Sequence, residues 1–358
     1  MCRPAYDSPA LPITWNRLEY CSGTNEYVEV RPEAKEEVLA LYRDNPEAAK
    51  AEFGDEPFEL KNVLKNWVRG KNADLHFIPT DTLYLTIDKE AVKKSGMMMA
   101  ADSIPDRMVI SLKGKRSLYK GDLMMLEMIA NCNWTRPIYV ASTVGPASYM
   151  NLGDNFVQEG LVNRITPFTT NIEGKRIPGV KNFDTKRTYD NLMHRFKLGG
   201  IDKKGIYLDE TVTRMCYTHR RIYTQLAMNL VAEGDNKKAA EVLSFIEKNI
   251  PEYNVPHDFI YGSLDIARVY ATLGQKQKAQ HIMDALWNKS EQYLRWYYSL
   301  TGSRFLTSQQ DCIRHFYMMN EILQLGSTTD QKWYDKHVLR FSDYQKRYME
   351  KGGNFGED

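Results

Sequence analysis

Leu60, Val63, Leu64 and Trp67 recur at i, i+3, i+4 and i+7, which places four apolar side chains on one face of a helix ending near Gly70. The period then shortens to two. Leu83, Leu85 and Ile87 alternate with Tyr84, Thr86 and Asp88, the pattern of a strand, and Met108 to Leu112 predicts a second. Helical spacing returns from Asp122 to Ile129, and Pro137-Ile138-Tyr139-Val140-Ala141 reads as a short buried strand entered from a turn. Upstream, Pro32 followed by Glu33, Glu36 and Glu37 opens a helix through about Tyr42, with acids at its positive end. The acidic stretch Asp44 to Glu59 reads as loop. Pro4, Pro9 and Pro12 fix the backbone and remove donors, so the first thirty residues read as an extended arm. Strands separated by helical stretches predict an α+β or α/β domain over residues 1–165, with at least one parallel pairing.

Periodicity fades over residues 166–208, where Gly174, Pro178, Gly179, Gly199 and Gly200 mix with basic residues. This is expected to be a surface connection with one short helix at Tyr189 to Phe196. From 209 to 350 the chain is helical and repeats. Ala227, Gly234, Lys238 and Ala239 recur forty positions later as Ala267, Gly274, Lys278 and Ala279. A small residue lets helices approach, glycine turns the chain and alanine lets the second helix pack back. The pattern predicts an all-α, tetratricopeptide-like array of helical hairpins, with a period longer than the roughly 34 residues of that repeat. A degenerate third unit runs from Arg314 through Gly326 to Tyr348, with Gly326 as its expected turn.

Charge excludes one class of partner. Forty-eight basic against 46 acidic residues leave +2, so no polybasic surface for nucleic acid is expected. No stretch reaches the roughly 18 uncharged apolar residues of a membrane helix, and the first twenty residues lack a signal-peptide pattern. Cysteines at 2, 21, 132, 216 and 312 are too few and too scattered for a disulfide framework. The 22 tyrosines keep carbohydrate or peptide contact surfaces in view, although core packing accounts for most of them.

The common catalytic and nucleotide-binding motifs are absent, and no cofactor is expected. Cys216 with His219 and Cys312 with His315 form two C-x-x-H pairs, but at 96 residues apart they do not predict a metal site. Asp209-Glu210 reads as a helix start. Tyr293, Trp296 and Tyr297 lie on one helix face that could stack on a sugar or clamp a peptide, with burial between helices as the competing account. The groups Met97-Met98-Met99 and Met124, Met125 and Met128 read as gap-filling core rather than an adaptable surface. The basic run Lys175 to Lys204 reads as a solvated linker rather than a site for anionic lipid.

Three stretches, Leu11-Pro12-Ile13-Thr14-Trp15, Asn133-Trp134-Thr135-Arg136-Pro137-Ile138-Tyr139 and Asn155 to Pro167, together resemble one family. They look like the soluble C-terminal part of a bacterial, protein O-mannosyltransferase-like membrane family with a domain of unknown function. The resemblance runs along nearly the whole chain and is strongest from about Leu75 to Phe168. It implies an extracytoplasmic domain on the periplasmic face of the inner membrane, tethered by membrane helices upstream. Those helices would be its first partner, an acceptor protein or glycan its second. By the same analogy the catalytic acid belongs to the membrane part, so this chain is expected to hold no catalytic residue and to be a piece of a longer protein. Asn133, Trp134, Arg136, Glu159 and Arg164 are the candidates for ligand contact or for architectural duty. Trp134 would cover the turn, and Arg136 would hold a carboxylate or carbonyls with its planar fork. Two alternatives remain: a stand-alone helical-repeat scaffold for protein partners, and a carbohydrate hydrolase using two carboxylates.

Overall fold

The structure is a computed structural model that describes residues 27–70, 72, 75–97, 104–169, 171–172, 175–176 and 182–355. The proline-bearing arm, Leu11 to Trp15, Cys2, Cys21, Met98 and Met99 lie outside the described residues. The chain divides into two compact units, Met1–Arg187 and Thr188–Asp358.

The first unit is α+β, built from small sheets and short helices. Strand β1 (Tyr27–Val30) is followed by α1 (Ala34–Asp44), α2 (Pro46–Phe53) and α3 (Leu60–Asn62), which continues as a π-helical turn over Val63–Val68. After β2 (Phe77–Ile78) and β3 (Thr82–Thr86) come α4 (Lys89–Lys94), β4 (Arg107–Ser111), β5 (Ser117–Tyr119) and α5 (Lys120–Asn131). Strand β1 is central, parallel to β2 and antiparallel to β5. Strands β3 and β4 pair antiparallel, with Leu83 opposite Ile110 and Leu85 opposite Met108, all four buried. Trp67 anchors the helical side of this core, stacked on Phe53 at 4.7 Å and meeting Phe77 edge-on at 5.0 Å.

Downstream, β6 (Tyr139–Ala141), β7 (Phe156–Gln158) and β8 (Val162–Ile165) form an antiparallel sheet in the order β6-β8-β7. Strands β9 (Asn171–Ile172) and β10 (Lys175–Arg176) make a separate antiparallel pair. Two expectations change here. Asp44 to Glu59 contains a helix, because the Asn45 side chain accepts the Ala48 amide and Pro46 occupies the first turn. Strand β6 is an edge rather than a buried strand, so Val140 is buried while Tyr139 and Ala141 face outward.

Helix α6 (Thr185–Asp190) begins in the first unit, and a π-helical turn follows at Asn191–Arg195. The second unit then consists of α7 (Glu210–Ala232), α8 (Asn236–Asn249), α9 (Ser263–Thr272), α10 (Lys276–Ser299), α11 (Ser303–Thr307), α12 (Gln309–Thr329) and α13 (Gln331–Glu350). Helices α7 and α8, α9 and α10, and α12 and α13 pack as successive pairs. Ala227, Ala239, Ala267 and Ala279 are all fully buried, as the close approach of paired helices requires.

The repeat extends to single hydrogen bonds. Gly234 (φ +84°) and Gly274 (φ +74°) both take the left-handed conformation. At the first turn the Asp235 amide reaches Leu230 O and the Gly234 amide Val231 O; at the second, Gln275 reaches Tyr270 O and Gly274 reaches Ala271 O. These are two copies of one glycine-dependent helix stop. The third hairpin is present, but its turn is not at Gly326. That residue lies inside α12, and the chain turns at Asp330, whose carboxylate caps the Trp333 amide at 3.1 Å.

Candidate functional site

The turn from β7 to β8 carries Glu159, whose amide donates to Val162 O at 2.9 Å. Register sets its surroundings, since Tyr139 on β6 lies directly opposite Arg164 on β8. Glu159 is 6% exposed and Arg164 4%. One carboxylate oxygen of Glu159 stands 2.9 Å from Arg187 Nη1 and 3.5 Å from Arg164 Nη1. The other accepts the Tyr139 hydroxyl at 2.8 Å. Burial, then the adjacent carboxylate, pushes the Tyr139 phenol above its usual range. Arg187 also donates to Gly96 O and, through its backbone amide, meets Asp184 Oδ1 at 2.9 Å.

The buried Glu159 carboxylate is engaged by two guanidinium groups and a phenol, so it acts as a fixed junction between elements rather than as a group presented to a ligand. The arrangement clasps β6, the β7–β8 turn, the start of α6 and the loop at Gly96 together. Of the sequence candidates, the structure brings Glu159 and Arg164 into this cluster. Arg136 is exposed on the turn after α5. Asn133 and Trp134 both adopt left-handed backbone, at φ 44° and 58°. The Trp134 side chain is buried in the core of the first unit, and its backbone amide lies 3.4 Å from Cys132 Sγ. Two consecutive non-glycine residues in the left-handed region store strain of about 1–3 kcal/mol each, which the packed indole must offset.

The second unit holds a different kind of site. On α10, Tyr297 is buried, whereas Tyr293 is 42% and Trp296 56% exposed. The Tyr293 ring stacks on His315 of α12 at 4.8 Å and 18° between planes. Tyr293, Tyr297 and His315 wall a cavity of about 200 Å³ together with Asp258, Lys289 and Arg314. Burial pushes the His315 imidazole down to about 4, so it is neutral at physiological pH, and its Nδ1 has no partner. Lys289 pairs with Asp258, and Arg314 with Asp311 at 3.2 Å. An aromatic wall beside fixed polar groups is chemistry suited to a sugar ring or a polar peptide segment. Cys312 lies buried on the same helix, its thiol pushed up to about 11 by desolvation. Among the described residues, no group of three or more His, Cys, Asp or Glu side chains could hold a metal ion.

Arg187 and His315 were not legible as site residues. Arg187 sits in a basic stretch that reads as linker, and Glu159 lies far from it in sequence. His315 was visible only as half of a C-x-x-H pair, while its ring partner is on another helix.

Residues 1–187 match the family model of TMEM260-associated domain 2. The chain belongs to this family. The matched span includes the whole Glu159 clasp through Arg187, while the helical repeats lie beyond it. The family is named for its association with TMEM260, which links this chain to a membrane glycosyltransferase-like protein. No curated protein and no solved structure matches the chain. Among the described residues, no helix is long and apolar enough to cross a membrane.

Proposed function

We propose that this chain is an extracytoplasmic part of a membrane glycosyltransferase of the protein O-mannosyltransferase-like type, at the periplasmic face of a bacterial inner membrane. It holds an acceptor polypeptide or glycan, or a partner protein, while sugar transfer takes place in membrane-spanning sequence of the same protein. The observation that carries this reading is the family match over residues 1–187. Two features support a positioning role over a catalytic one. Glu159 is saturated by Arg164, Arg187 and Tyr139, which suits a structural brace. Tyr293 lines a cavity and Trp296 stands exposed on the same helix, so the two rings offer aromatic surface for stacking.

The test is mannosyl transfer by membranes carrying the complete reading frame. Exchanging Tyr293 and Trp296 for alanine is expected to raise KM for the acceptor about tenfold, the loss of roughly 1.4 kcal/mol of stacking, with kcat little changed. An unchanged KM removes the acceptor role from this face. Transfer by the isolated 358-residue chain would overturn the placement of chemistry elsewhere.

A further inference from the structure

A second cavity in the helical unit, of about 370 Å³, is bounded by Arg220, His257, Ile246, Ile250, Ile266 and Ile282. Arg220 projects from α7 and is 4% exposed. Its Nη2 donates to two backbone carbonyls, Ile250 O and Val255 O, both at 2.8 Å, which fixes the guanidinium plane. Nη1 has no partner, and neither does His257 Nδ1. The two carboxylates at the cavity are already engaged: Glu247 by Lys278 at 2.9 Å, and Glu252 by His281 at 2.6 Å.

A guanidinium this deep normally faces a carboxylate, because an uncompensated buried charge is costly. Among the described residues, no acidic side chain forms an ion pair with Arg220, and the cavity beside it is walled by four isoleucines, with Glu247, Glu252, Gln277, Lys278 and His281 completing its lining. The charge is rigidly held with no carboxylate in direct contact, and the apolar part of the wall is aliphatic. A small organic anion with a branched or short aliphatic body satisfies both conditions. Nη1 and the imidazole supply two donors for one carboxylate, and four isoleucines cover the hydrocarbon.

We propose that this cavity binds an aliphatic carboxylate, with the anionic head on Arg220 and His257 and the hydrocarbon against Ile246, Ile250, Ile266 and Ile282. The carboxylate comes either from a free acid or from the C-terminal residue of a peptide. The site is independent of the Tyr293 and Trp296 face and of the proposed transferase role.

The experiment is titration calorimetry on the full 358-residue chain with 4-methylpentanoate, its amide 4-methylpentanamide, and N-acetyl-leucine as a mimic of a peptide terminus. The acid is expected to bind at least tenfold more tightly than the amide. Stronger binding of N-acetyl-leucine than of 4-methylpentanoate assigns the ligand to peptide termini, and the reverse to free acids. In Arg220→Gln the preference for acid over amide disappears. Because loss of Arg220 also removes two backbone contacts that hold the fold, His257→Phe serves as the second variant, expected to weaken acid binding severalfold while the amide is unaffected. Equal binding of acid and amide by the unaltered chain, or binding of neither at millimolar concentration, overturns the proposal.

Discussion

A Cβ placed on Gly326 would lie 2.5 Å from Cζ3 of Trp333, so the indole of α13 occupies the space that a side chain on α12 would fill. Trp333 is held in that position by its indole N–H, which donates to Asp284 Oδ1 at 2.7 Å, and by His337 stacked on it at 3.7 Å. The glycine that marked an expected turn at position 326 therefore reflects close packing within a hairpin.

Gly326→Ala should destabilise the chain although alanine is the better helix former. Propensity favours alanine by about 1 kcal/mol, but overpacking against a pinned indole costs about 1–3 kcal/mol, and the second effect wins. Urea unfolding measures the balance. A rise in stability would show that the indole moves aside freely.

Gly234→Val and Gly274→Val should each lower the melting temperature. Neither site is crowded, since nothing lies within 4 Å of a Cβ built there. The whole effect comes from forcing a β-branched residue to positive φ, about 1–3 kcal/mol. Equal losses at the two positions would follow from their matching hydrogen bonds.

Glu159→Gln should cost about 3–5 kcal/mol, because it leaves Arg164 buried without its counter-charge. Adding Arg164→Met removes the orphaned charge and should recover much of the loss. If the single variant unfolds at the same urea concentration as the parent, the clasp has no structural weight.

Acid should weaken the helical unit before it titrates most carboxylates. Burial lowers His315 and His257 from 6.5 to about 4 in the folded chain. The unfolded chain therefore takes up protons first. The stability these neutral imidazoles contribute is complete above about pH 6.5 and is lost as pH falls toward about 4. The urea midpoint is expected to drop between about pH 7 and pH 5, and His315→Gln should make that drop shallower. An identical pH profile for the variant would contradict the burial of a neutral ring.

What the sequence revealed was local. Spacing at Leu60 to Trp67 and alternation at Leu83 to Ile87 each report one face, and those faces are buried, although the first segment turns π-helical from Val63 and β3 ends at Thr86, one residue before Ile87. The Ala227 and Ala267 repeat was legible because each copy of the turn depends on glycine at the same place. Helix α2 was obscured by its acids, though Asn45-Pro46 is a start signal that composition overrode. The clasp was half legible, as Glu159 and Arg164 lie near each other in sequence. Arg187 and Tyr139 join them through sheet register and tertiary packing, which no spacing rule encodes.

The pairing of β1 carries a consequence for how the molecule assembles. Tyr27 must find Tyr119, and Val30 must find Ile78, before the central strand of the first unit has neighbours. The helical hairpins close through contacts with the next helix in line. Long-range pairing slows the search for the native state, whereas local closure speeds it. The two units should therefore fold on separate clocks, the repeats first, with the strand leading into α1 among the last segments to lock.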